Sequence, residues 1–267
     1  MAAGNRRREF STFATDKTKQ IMAEKTSYDF YIEPQYVDFT LRARIDALGS
    51  QILNTAGTDA QRKGFGVDVL SKRNRTWVLS RMALEIDSRP EQYAHTSIST
   101  WVNENGRMLS TRNFEITDAD GHIIGRGASQ WCLLDFVRRV PVALGEVMDS
   151  YGPYICDAPS PCELPHKILS VEPTEFTEHK VVYSDIDFNR HVNTMRYIEL
   201  MMDMLPIERL EGNDPMRLDI HFMHECKFGQ VLTVGYEQRE NTALFEIKND
   251  EGTVACRAAV EWRQKAE

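Results

Sequence analysis

Apolar residues fall along the chain in two alternating periods. Leu41, Ile45, Leu48, Ile52 and Ala56 recur at spacings of three and four, which predicts a helix over 41–56 with one apolar side. Over 77–87 the period drops to two: Val78, Met82, Leu84 and Ile86 share a face while Arg81 and Glu85 take the other, as in a half-buried strand. A further strand is expected at 98–104, and then a hairpin. Phe114-Glu115-Ile116 leads into Asp118-Ala119-Asp120-Gly121, an acidic turn closed by glycine, and the return strand carries Arg126, Ala128 and Trp131.

The hairpin recurs 131 positions later without a gap, as Phe245-Glu246-Ile247, Asn249-Asp250-Glu251-Gly252, Arg257, Ala259 and Trp262; seven of 18 aligned residues are identical. Short matches arise by chance, but the order of elements upstream also repeats. The second half predicts a strand at 180–183, a helix through Val192, Met195, Ile198, Met202 and Leu205, strands at 217–224 and 231–238, and then the second hairpin. A helix followed by antiparallel strands that wrap it is an α+β unit, and two such units can continue one sheet. The fold expected is two tandem hot-dog domains. Pro153, Pro159, Pro161 and Pro165, with Gly152 and Ser160, break both periods and mark a connection. The divisions read from this are a tail at 1–28, an N-terminal domain at 29–150, a linker at 151–178 and a C-terminal domain at 179–267.

Composition narrows the function. A chain of 267 residues that is 42% hydrophobic can bury a core, and its net charge of −8 speaks against a protein that coats nucleic acid. No run approaches the ~20 apolar residues that span a bilayer. Five cysteines, Cys132, Cys156, Cys162, Cys226 and Cys256, include no C-x-x-C pair, so neither a disulfide framework nor a metal site is expected, and no cofactor is called for. The reduced cytoplasm fits. Arg6-Arg7-Arg8 is followed by Glu9, Asp16 and Glu24 with no apolar core, unlike an acid-poor transit peptide, which favours a bacterial cytoplasmic enzyme.

The candidate chemistry lies at a strand-to-helix junction, Val182-Tyr183-Ser184-Asp185-Ile186-Asp187-Phe188-Asn189-Arg190-His191-Val192-Asn193, followed by Tyr197-Ile198-Glu199. A helix start presents unpaired N–H groups and partial positive charge, which can polarise a carbonyl and hold an oxyanion. Asp187 or Asn189 alone reads as an N-cap, and His191 alone as an ordinary histidine. Three polar residues at alternate positions, with Asn193 beyond them, exceed what capping requires.

These residues closely resemble the acyl-acyl carrier protein (acyl-ACP) thioesterases of plants and bacteria, a likeness carried over nearly the whole chain by Trp77-Val78-Leu79-Ser80-Arg81, by Asp187-x-Asn189-x-His191-Val192-Asn193 and by Glu225-Cys226. The run from Asp187 to Asn193 also resembles the wider 4-hydroxybenzoyl-CoA thioesterase group. The resemblance implies a phosphopantetheine-linked acyl carrier protein as partner and catalytic roles for Asp187, Asn189, His191 and Glu225. Two mechanisms stay open. The preferred one has Glu225 activating a water that Asn189 and His191 orient, with Asp187 supporting them; the other makes Cys226 the nucleophile and His191 its base. A different enzyme class, a hot-dog dehydratase or hydratase, and an acyl-CoA thioesterase are the alternatives, and a non-catalytic acyl-binding module is a third class.

Further expectations remain. Strict alternation from Leu218, Ile220 and Phe222 puts Glu225 on the opposite face with Asp219 and His221, so either a bulge re-aims it or the site lies on that side of the sheet. The equivalent first-half stretch, Val37-Asp38-Phe39-Thr40-Leu41-Arg42, offers a carboxylate with nothing to partner it, so one site per chain is expected, and the first half, from its helix and the Trp77 strand, should house the acyl chain. Trp77, Trp101 and Trp131 read as core residues. An acidic carrier would need clustered cations, for which Arg138 and Arg139, or Lys72-Arg73-x-Arg75, are candidates. A homodimer and a single chain both fit the pattern, because the internal duplication already supplies a pair of hot dogs.

Overall fold

The alternating stretches fold into one antiparallel sheet curved around two helices. The computed structural model describes residues 23–103 and 106–263. In chain order the first half contains β1 (Thr26–Tyr31), α1 (Ile45–Arg62), the single turn α2 (Val67–Leu70), β2 (Arg75–Ile86), β3 (His95–Asn103), β4 (Leu109–Thr117), β5 (Ile123–Asp135), β6 (Val140–Val142) and α3 (Met148–Tyr151). The second contains β7 (Glu175–Lys180), α4 (Thr194–Met202), α5 (Ile207–Glu211), β8 (Met216–Phe222), β9 (Val231–Arg239), β10 (Thr242–Lys248) and β11 (Val254–Trp262). β1 begins inside the stretch read as a tail, and Glu104, the expected end of the third strand, lies outside the described residues.

The strand order is β1-β3-β4-β5-β2-β8-β11-β10-β9-β7, with β6 attached to β5. Each half therefore has the same internal order, and the halves join edge to edge where β2 runs antiparallel to β8, with Leu84 opposite Leu218. This is the α+β double hot dog. The repeated hairpins close alike: Asp118 Oδ1 accepts from Asp120 and His122 N–H, Asn249 Oδ1 from Glu251 and Thr253 N–H. Gly121 and Gly252 take φ of 86° and 77°, which a side chain would oppose.

The helices differ from their expected bounds for local reasons. Leu41 is not in α1; it sits at φ 59°, 59% exposed, in the turn leading to it. α1 instead runs on to Arg62 before Gly64 turns the chain at φ 78°. α4 stops at Met202, and Leu205 stays buried in the following turn because Pro206 disfavours helical conformation in the residue before it. Val192 pairs with Ile186 ahead of α4, and the strand expected at 180–183 lies earlier, as β7.

Both helices feed one apolar core. Ile45, Leu48 and Ile52 of α1 lie in the same cluster as Met195, Ile198 and Met202 of α4. They approach closely at Gly49, where a Cβ would meet Met195 Sδ at 2.6 Å. A second cluster in the first half includes Phe65, Leu70, Val102, Leu133 and Tyr151, with Trp77 against it. The indole N–H groups of Trp77, Trp101 and Trp131 bond Phe65 O, Ala158 O and Ser129 Oγ, so all three are satisfied within the protein.

The outer face of the β2–β8 seam is charged and covered. Arg217, 2% exposed, pairs with Glu85 at 2.8 Å and Asp219 at 2.7 Å, and also donates to Glu163 O and Leu164 O. His166 N–H bonds Asp219 Oδ1. The proline-rich connection is thus fastened across the seam. All five cysteines are free thiols, and no helix among the described residues is long and apolar enough to cross a membrane.

Candidate active site

The site is built from the turn leading into α4 and the loop leaving β8. Asp187 folds the turn: its Oδ1 accepts from Asn189 N–H at 2.8 Å and His191 N–H at 3.2 Å, while its own N–H bonds His191 O. Arg190, at φ 64°, makes the reversal. The cap of α4 is Asn193, whose Oδ1 accepts from Met195 N–H, so neither Asp187 nor Asn189 serves as the N-cap.

Glu225 reaches this turn through a bulge. After β8 ends, Met223 and His224 both donate to Ala255 O, two residues against one, which breaks the alternation that would have put Glu225 on the wrong face. Val192 N–H then bonds Cys226 O, and His191 bridges Lys227. Glu225 Oε2 lies 3.2 Å from His191 Nε2, with side chains 34% and 23% exposed. The same oxygen accepts from Arg139 Nη2 at 2.7 Å. Arg139 comes from the turn between β5 and β6 in the other half, a position that gave no sign of this role in the sequence.

The remaining predicted residues separate. Asn189 is exposed at the tip of the turn, and among the described residues its side-chain amide bonds none of the other candidates. Arg138 is held on Asp135, away from Glu225. Glu199 pairs with Arg196. Cys226 is fully buried and its thiol is pushed up by burial; the Tyr197 hydroxyl beside it is pushed up the same way.

A second ionic group underlies the turn and was not singled out from the sequence. Asp185, 2% exposed, accepts from Val182 N–H and meets His179 Nε2 at 2.7 Å and Arg196 Nε at 2.9 Å, while its carbonyl takes Asn193 N–H. Burial pushes its carboxyl up, but these bonds outweigh it and the net shift is downward. The only signal was Asp185 two residues ahead of Asp187. Beside the turn, Tyr183, Ile186, Asp187, Phe188, Arg190 and Phe228 border an open hollow of about 540 Å³, which His191 and Glu225 do not line.

Sequence profiles settle the relationship: residues 23–151 match the acyl-ACP thioesterase N-terminal domain and 169–264 the C-terminal domain. The chain belongs to the acyl-ACP thioesterase family. A crystallised acyl-ACP thioesterase from Bacteroides thetaiotaomicron superposes with a TM-score of 0.81 at 38% identity, over 90% of this chain and 98% of that one. The chloroplastic palmitoyl-acyl carrier protein thioesterase of Gossypium hirsutum is 25% identical over 264 residues, 90% of this chain and 64% of that protein. The 12:0-ACP thioesterase from Umbellularia californica shares the fold, with a TM-score of 0.79 at 20% identity over 90% of this chain and 97% of that one. Against the curated plant members of the acyl-ACP thioesterase family, the chain spans from about two fifths to about two thirds of their length.

Proposed function

We propose that the protein hydrolyses the thioester between a fatty acyl group and the phosphopantetheine of an acyl carrier protein, releasing a free fatty acid. The observation that carries this reading is the Glu225–His191 pair at 3.2 Å, beside the amino end of α4 in a chain of this family. Glu225 takes a proton from water as the water oxygen bonds the thioester carbon. The helix start stabilises the oxyanion, and collapse breaks the carbon–sulfur bond. The proton returns to the leaving thiolate, so acid and carrier thiol form without a covalent intermediate. His191 orients the base and the water, and Asp187 holds His191 through its backbone.

The surroundings of Cys226 support water over the thiol. A nucleophilic cysteine needs an exposed thiolate favoured by a nearby cation, whereas this thiol is buried against Tyr197 and held in its neutral form. By this reading the acyl chain runs into the first half, whose apolar cluster bordered by Trp77 supplies the apolar side chains it needs.

The test measures free thiol release from carrier-bound and coenzyme A thioesters of several chain lengths. Glu225→Gln should lower kcat by about 10²- to 10⁴-fold, while Cys226→Ala keeps turnover. The opposite pattern would establish the cysteine route, and hydration of an enoyl thioester without thiol release would establish the dehydratase class.

A further inference from the structure

The turn between β5 and β6 is organised by one carboxylate. Asp135 accepts from Val137 and Arg138 N–H at 3.1 and 2.9 Å, and holds the guanidinium groups of Arg138 and Arg75 at 2.7 Å each. The Arg138 backbone and side-chain bonds bring its carboxyl down to about 2. With Asp135 taken up by these partners, the next cation along, Arg139 at φ 55°, crosses to the other half and bonds Glu225 at 2.7 Å.

Arg139 and His191 meet the same Glu225 oxygen, one from each half of the chain. Glu225 needs this second hold. It leaves β8 through a bulge, its side chain is one-third exposed, and a free glutamate side chain must give up rotamer freedom when fixed. A base displaced by about 1 Å costs on the order of 10²-fold in rate. We infer that Arg139 is a positioning residue that fixes the Glu225 carboxylate against His191, so that the site is completed across the β2–β8 seam by the first half. The inference rests on the reading of Glu225 as the base. It also separates Arg139 from Arg138, with which sequence had grouped it as a carrier-docking cation.

The experiment compares Arg139→Gln, Arg139→Lys, Glu225→Gln and the double variant Arg139→Gln/Glu225→Gln. Each is assayed on acyl-pantetheine and on the same acyl group attached to the carrier. Arg139→Gln should lower kcat about 10- to 100-fold on both substrates with KM nearly unchanged. Arg139→Lys should recover most of that rate, and adding Arg139→Gln to Glu225→Gln should cost nothing more. Unchanged kcat in Arg139→Gln, losses that multiply in the double variant, or a rise in KM confined to the carrier-bound substrate would overturn the inference. Full activity in Glu225→Gln would remove the reading of Glu225 and this inference with it. An inactive Glu225→Gln beside an unaffected Arg139→Gln would remove this inference alone.

Discussion

The turns leading into α1 and α4 have the same backbone and opposite chemistry. In both, an aspartate N–H bonds the carbonyl four residues on (Asp38 to Arg42, Asp187 to His191), and its carboxylate receives the N–H two residues on. Leu41 and Arg190 make the same reversal at positive φ. Both also face a bulge: Asp87 and Ser88 donate to Ile124 O as Met223 and His224 do to Ala255 O. The bridges Arg42–Glu91 and His191–Lys227 then put Thr40 in the place of Asn189, Arg42 in that of His191 and Arg89 in that of Glu225. A carboxylate within reach of an imidazole can pass a proton. An arginine in the same place cannot, because it stays charged.

The expectation that Asp38 has no partner is therefore corrected. Arg89, 7% exposed, forms an ion pair with Asp38, donates to Leu210 O and Gly212 O, and its N–H bonds Asn213 Oδ1. The first-half turn has become a clamp onto the loop after α5. It shows that the duplicated backbone is a scaffold indifferent to chemistry, and that the side chains at three positions decide between a site and a fastening.

Three changes test that contrast, from the largest effect down. His191→Ala should lower kcat by about 10²- to 10⁴-fold with little change in thermal midpoint; a loss of stability with kcat retained would assign His191 to structure. Arg89→Leu should do the reverse, because removing one partner of a buried pair strands the other. A loss of about 3–5 kcal/mol in urea unfolding is expected, with the folded fraction still turning over at its normal rate. If Arg89→Leu were as stable as the parent, the clamp would carry no weight.

The third concerns acid. Burial pushes the Asp38 carboxyl up, but the bonds from Thr40 and Arg89 outweigh it and hold it below its ordinary value, as the Asp185 carboxyl is held under the other turn. A depressed carboxylate contributes stability that is complete above its unfolded pKa of about 3.9 and is lost as pH falls through the lower folded value. Unfolding free energy measured from neutral pH down through that window should therefore fall less steeply in Asp38→Asn and in Asp185→Asn than in the parent chain. Identical slopes would show that these bonds do not set the acid limit.

Much of this was legible along the chain. The hairpin repeat placed β4–β5 and β10–β11, the period of α1 was right from Ile45 onward, and the Asp187–Asn193 run marked the turn at which His191 meets Glu225. Of the two ways alternation left for Glu225 to serve the site, the loop after β8 provides the bulge. Leu41 misled because an apolar residue in a turn has the same spacing as one in a helix, and Leu205 misled because burial continues past the helix end.

By itself, then, the sequence determined the two units, their shared order and the residue types that the proposed chemistry needs, since periodicity and turn composition act over a few neighbouring residues. Tertiary structure alone decided that Arg139 meets Glu225 across 86 positions, that Arg89 closes on Asp38, and that the linker lies over Arg217. Such pairings depend on which strand edges join and which way a bulge turns a side chain, and no local pattern encodes a contact between distant segments.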